Sequence, residues 1–281
     1  MRIHHLNCGS FCPHGARLIN GRGGLLERGS IVCHCLAIET GEGIVLVDTG
    51  FGVEDAENPR RLGALFGALM KPRPKLETTA IRQIEELDFA PGDVRRIVTT
   101  HLDLDHAGGL PDFPEAEVHV LAAELKEAMN PHLNERMRYV GGVHWGHGPR
   151  WVEHGSGGEE WFGFESVRLL PGLDEELLLV PLLGHSRGHT GVAINTGEGW
   201  LLHCGDAYFH HGEVSTPPSC PPALRFFQSL TASDNKARRA NQERLRELAA
   251  RHGGEVRLLC SHDPEELERE QAGRATAAAT E

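Results

Sequence analysis

The run His101-Leu102-Asp103-Leu104-Asp105-His106 constrains this chain more than any other stretch of it. Two imidazoles and two carboxylates fall within six residues, directly after Arg96-Ile97-Val98-Thr99-Thr100, a β-branched run that reads as a strand. A lone His-x-Asp on a loop is explained by a capped turn. Crowding these groups together without a cation raises carboxylate pKa values or costs folding energy. The run therefore predicts a metal site. Side chains alternate along an extended backbone, so His101 and Asp103 face one way, while Asp105 and His106 lie past a turn and reach a second ion.

Three further residues of ligand type, His185, Asp206 and His262, each follow an apolar, strand-like segment. Loops at strand ends let a rigid scaffold fix ligands while leaving coordination positions open. Imidazole mixed with carboxylate suits Zn, Fe, Mn or Co, and an open position on such an ion makes a hydrolytic nucleophile. Two ions about 3.5–4 Å apart need a shared ligand, and a carboxylate bridges best. Asp206 is the candidate bridge.

Around these residues the pattern alternates between strands and helices. Residues 31–38 and 44–47 read as strands joined by a hairpin turn at Thr40-Gly41-Glu42-Gly43, and 62–70, 78–87, 122–129 and 235–251 as helices. Residues 177–183, 192–195, 200–203 and 255–260 continue the strands. The order within each half predicts one domain over residues 1–281, with two α/β halves packed sheet to sheet and helices outside. Residues 130–163 break the pattern with His132, Tyr139, His144, Trp145, His147, Trp151, His154 and Trp161 among many glycines, which predicts a lid insertion. The Ala/Thr-rich tail after 271 is expected to fray.

Composition narrows the partners. Forty acidic against 28 basic residues give a formal charge of −12, and no basic stripe with interleaved aromatics appears, which argues against nucleic acid. No apolar run is long enough to span a bilayer and Met1 to Asn7 lacks a signal-peptide core, so a cytoplasmic location and a small-molecule substrate are expected, with no reading of oligomeric state. The seven scattered cysteines read as free thiols in a reducing compartment.

Val47-Asp48-Thr49-Gly50, the His101–His106 run with Ala107-Gly108-Gly109 after it, Gly184-His185-Ser186-Arg187-Gly188-His189, Cys204-Gly205-Asp206 and Ser261-His262-Asp263 together resemble the metallo-β-lactamase superfamily, nearest its N-acyl homoserine lactonase and glyoxalase II branches. The resemblance spans residues 31–263. It implies a four-layer αβ/βα sandwich and two divalent ions, Zn2+ by default. His101, Asp103 and His185 would hold the first ion and Asp105, His106 and His262 the second, with Asp206 between them. His189 and Asp48 would take supporting roles. It also implies hydrolysis of an ester, lactone or thioester through a metal-bridging hydroxide, with Asp105 at the reaction centre and Tyr208 or His210 assisting. Phe11, Trp145, Trp151 and Phe209 would form an apolar substrate wall. One departure matters: the family's motif has histidine where this chain has Asp103. A carboxylate there adds negative charge and hardens the site, which brings in Fe or Mn and, as the alternative function, an iron-dependent redox enzyme acting on O2, NO or a persulfide.

Overall fold

Val, Ile and Leu fill both faces of the central strands, so each sheet must be covered on both sides. The computed structural model describes residues 1–133, 135–136, 138–139, 141–155, 157–169 and 176–278. Its first sheet has six strands in sequence order: β1 (Arg2–Phe11), β2 (Ile31–Thr40), β3 (Gly43–Val47), β4 (Val94–Val98), β5 (Glu117–Leu121) and β6 (Arg150–His154). The second runs β12 (Val256–Leu259), β11 (Trp200–His203), β10 (Thr190–Asn195), β9 (Leu177–Pro181), β8 (Phe164–Leu169) and β7 (Glu159–Trp161). Antiparallel pairing gives way to parallel at β3–β4 and again at β11–β12.

Strand periodicity sorts the side chains into layers. Leu36, Ile38, Val45, Val47 and Val98 of the first sheet meet Leu177, Leu179, Val192, Ile194, Leu201 and Leu259 of the second. Their neighbours in sequence face outward. Ala37, Leu46 and Ile97 pack with Ile84 and Leu125 of the helices Ala80–Glu86 and Ala122–Met129, and Val180, Ala193 and Leu258 pack with Leu245 and Leu248 of the helix Asn235–His252. That is the four-layer αβ/βα sandwich expected from the sequence. The Asp234 side chain starts the last of these helices by accepting from the Lys236 and Ala237 amides.

Two expectations need correction. The stretch expected as a lid carries β6 and β7, the outer strands of both sheets. Trp145 and Trp161 are buried core residues, and Trp151 packs on the first helix-covered core. His154 pairs with His119 across β5 and β6 (2.9 Å), and buried His144 meets Asp55 (3.2 Å), while His147 is exposed. Short strands with polar flanks and glycines give little periodicity, which is why they read as loop. The tail is the second case: the helix Pro264–Ala278 runs past residue 271, and residues 279–281 lie outside the description. The apolar pattern offers no reading of β1, whose His4, His5 and Asn7 hide a strand that pairs with β2 around a register shift between Asn7 and Ser10.

Candidate metal centre

All seven sequence-predicted ligands converge at one edge of the sandwich, on loops that leave strand ends. His101 lies three residues beyond β4, Asp206 three beyond β11, His262 three beyond β12 and His185 four beyond β9. Ligand atoms of His101, His185 and Asp206 lie within 4.8 Å of one another, and so do those of Asp105, His106 and His262. Asp103 joins the first group through Oδ2, 3.4 Å from His101 Nε2 and 3.1 Å from His185 Nε2. Asp206 stands between the groups. Its Oδ2 is 3.3 Å from His185 Nε2, and its Oδ1 is 3.3 Å from His106 Nε2 and 3.1 Å from His262 Nε2.

These atoms fit cations better than they fit each other. His101 Nε2, His106 Nε2, Asp103 Oδ1 and Asp206 Oδ1 are buried and have no hydrogen-bond partner in the protein. Each such orphan costs about 1–3 kcal/mol, and ions at the two positions would satisfy all four.

The surroundings aim the imidazoles. Asp48 Oδ2 accepts from His106 Nδ1 (2.8 Å), which leaves Nε2 with its lone pair facing the site. The same carboxylate accepts from the Thr100 amide and hydroxyl (2.7 Å each), and the Thr100 oxygen in turn is 3.0 Å from His101 Nδ1. Asp48 does this from a left-handed backbone conformation (φ 56°) that Asp tolerates better than most residues. His262 Nδ1 donates to the Val32 carbonyl (2.8 Å). His189 donates through Nδ1 to the Leu182 carbonyl and accepts the Asp206 amide at Nε2 (2.8 Å), so it holds the bridging residue's backbone. A Cβ on Gly205 would lie 2.6 Å from that Nε2, so the close approach requires glycine.

Two residues that the sequence did not single out complete the first group. Glu124 is fully buried. Its Oε1 accepts from the Leu102 amide (3.0 Å) and the Tyr139 hydroxyl (3.2 Å), and its Oε2 from the Ser186 hydroxyl (2.6 Å) and the Gly188 amide (3.0 Å). One carboxylate thus ties the His101–Asp103 loop to the His185 loop. Arg138 Nη1 lies 2.7 Å from Asp103 Oδ2 and 2.8 Å from His185 Nε2, and its Nη2 donates to the Thr231 carbonyl. Glu124 sits in an ordinary-looking helix and Arg138 in an irregular stretch, so neither carries a local sequence signal.

The electrostatics divide along the same line. Burial alone would raise the Asp103 carboxyl, but Arg138 and then His101 hold it well below the usual carboxylate range. Burial and then Arg138 push His185 down to about 4, so its imidazole is neutral and its Nε2 accepts from Arg138. In the second group burial raises Asp105, helped by Asp206 and Asp103. Burial would lower His106, yet Asp206, Asp105 and Asp48 outweigh it and raise its proton affinity well above normal.

Tyr208 and His210 are not at the centre in the way expected. Tyr208 is fully buried in the core under the helix Asn235–His252, and its hydroxyl donates to Glu266 (3.0 Å). Its neighbour Phe209 faces the ligands instead, with its ring 4.5 Å from His262 and 6.0 Å from His185. His210 Nδ1 accepts from the Gly212 amide, and His210 groups with His211 and Asp263 rather than with the seven ligands. Of the four residues expected to form a substrate wall, Phe11 and Phe209 flank His262, while Trp145 and Trp151 belong to the core on the outer face of the first sheet.

A sandwich with paired His/Asp groups at its edge defines a metal-binding hydrolase scaffold, and the comparisons agree. The family model for the metallo-β-lactamase superfamily matches residues 28–256. The probable metallo-hydrolase Rv2300c of Mycobacterium tuberculosis is 44% identical over 266 residues, covering 94% of this chain and 81% of the relative. The N-acyl homoserine lactonase AttM of Azorhizobium caulinodans is 26% identical over 271 residues, covering 94% of each. Among solved structures, a Bacillus thuringiensis AiiA variant with N-decanoyl-L-homoserine at its active site superposes with a TM-score of 0.70 at 20% identity, covering 95% of each chain. The chain belongs to the metallo-β-lactamase superfamily. It is a metallo-hydrolase of that family, close to the lactonases. No helix among the described residues is long and apolar enough to cross a membrane.

Proposed function

We propose that this chain hydrolyses a small carboxylic ester, lactone or thioester at a centre of two divalent ions. The observation that carries the reading is Asp206, whose one carboxylate lies within 3.3 Å of His185 on one side and of His106 and His262 on the other. Ions held there would supply a hydrolytic nucleophile from water near neutral pH and polarise a carbonyl. The protein's own groups do the rest. Asp48, His189 and the Val32 carbonyl hold the ligands in one geometry. Asp105, beside His106 and His262 at the second position, is the group placed to pass a proton to the leaving oxygen.

A lactone with an apolar chain is the favoured substrate. Phe11 and Phe209, both buried, flank His262, and the partly buried Phe66 and Phe227 pack on them to give an apolar cluster next to the site (ring centroids 5.6 and 6.1 Å). Similarity to AttM and AiiA points the same way. Zinc is the favoured ion, and the Asp103 carboxylate keeps iron and manganese as the alternatives. Protein purified without added metal should contain two zinc ions per chain and turn over N-acyl homoserine lactones or related esters. Two irons with O2 consumption, and no hydrolysis, would sink this reading in favour of redox chemistry. Asp103→His should shift metal preference further towards zinc and keep part of the activity. Unchanged metal content with complete loss of turnover would count against it.

A further inference from the structure

The first metal position carries a carboxylate where the family's motif has a neutral imidazole, and it also carries a cation. Arg138 places Nη1 on Asp103 Oδ2 (2.7 Å) and beside His185 Nε2 (2.8 Å), with its side chain only 8% exposed. Its Nη2 is committed to the Thr231 carbonyl, at the end of the helix Pro222–Thr231. Both nitrogens are thus engaged with protein, which argues against a role in gripping substrate. Among the described residues, no Arg or Lys pairs with Asp105 or Asp206. The guanidinium is therefore specific to the position that holds the extra carboxylate.

We propose that Arg138 is the counter-charge of Asp103, a positioning residue that cancels the added carboxylate so that the first ion meets the net charge of an all-imidazole position. A carboxylate bare of this partner would bind a divalent ion more tightly and leave it a weaker Lewis acid. The guanidinium holds both effects in check through Coulomb repulsion at short range, in a buried setting where solvent screens little. It shares Oδ2, the oxygen that also faces His101 and His185, while the buried Oδ1 has no hydrogen-bond partner in the protein. The segment that delivers Arg138 is itself fastened: Tyr139 donates to Glu124, and Glu135 accepts from the Ser233 hydroxyl (2.8 Å) and pairs with Arg187 (3.3 Å). Asp103 and Arg138 act as one unit, assembled from two places 35 residues apart in sequence.

The proposal rests on the dimetal reading, and its test reads metal binding apart from turnover. Co2+ affinity is measured by chelator competition and by the visible absorption of the bound ion in wild type, Arg138→Met, Arg138→Lys and the double variant Asp103→His/Arg138→Met, with circular dichroism to check folding. Arg138→Met should bind the first ion about tenfold tighter or more and lower kcat with KM little changed. Arg138→Lys, which keeps the charge, should stay near wild type. The double variant should return to near wild-type affinity. Loss of the first ion in Arg138→Met would overturn the proposal and leave Arg138 a structural clamp, as would a double variant that behaves like Arg138→Met. Wild type that binds fewer than two Co2+ ions would overturn the dimetal reading itself, and this proposal with it.

Discussion

The two metal positions sit side by side but are braced in different ways. Each gathers its residues from loops that leave both sheets, and the first, with His101, Asp103 and His185, depends on Glu124 to tie those loops and on Arg138 to balance its charge. The second takes Asp105 and His106 from one turn and His262 from the end of β12, with His106 aimed by Asp48 and His262 by the Val32 carbonyl of β2. Each position has a buried glutamate behind it. Glu124 serves the first, while Glu266 serves the second by accepting the Cys260 amide (2.7 Å) and the Tyr208 hydroxyl. The contrast teaches that a helix carboxylate and an arginine from an irregular stretch brace the first position, whereas groups at or next to strands of the first sheet, Asp48 and the Val32 carbonyl, brace the second.

Removing the shared residue should erase the distinction. Asp206→Ala is expected to weaken both positions and cut kcat/KM by about a thousandfold or more, since neither ion keeps its common ligand. Elemental analysis with steady-state kinetics checks this, and a variant that keeps two ions and full activity would refute the bridging assignment.

The glutamate behind the second position should sharpen the contrast through pH. Burial, and then Asp263, raises the Glu266 carboxyl to about 7. An acid whose folded pKa is raised binds more protons folded than unfolded between the two values, so folding stability falls as pH rises from about 4.5 to 7 and the loss is complete above that range. This one group is worth up to about 3 kcal/mol across that window. In Glu266→Gln that part of the slope should vanish, leaving the variant progressively better off relative to wild type as pH rises. Denaturant titrations at pH 5, 6, 7 and 8 measure it, and parallel pH profiles for the two proteins would be the contrary result.

The smallest effect should be confined to one side. Asp48→Asn loses the charged acceptor that aims His106, which is expected to weaken the second ion about 10- to 100-fold while sparing the first. Stepwise metal titration resolves the two. Equal loss at both positions would mean that the Thr100 bonds of Asp48, rather than its hold on His106, carry its role.

Much of this centre could be read in advance because its ligands announce themselves chemically. His101 to His106 pack four ligand groups into one turn, and His185, Asp206 and His262 each follow a plain apolar strand. The same logic placed β2 to β4 and the helix Asn235–His252, where periodicity is strong. It missed β1 because His4, His5 and Asn7 interrupt the apolar pattern, and it mistook β6 and β7 for lid because three tryptophans among glycines look like loop. The expectation for Tyr208 failed on alternation: adjacent residues leave a backbone on different sides, and it is Phe209 that faces the ligands.

Sequence alone determined which side chains can hold the ions, since ligand chemistry belongs to residue type and local spacing. Only the tertiary structure decided how they are held. Glu124 reaches loops 22 and 62 residues away, and Arg138 meets Asp103 across 35. A charged side chain becomes a brace or a counter-charge only when folding removes the water that would otherwise satisfy it.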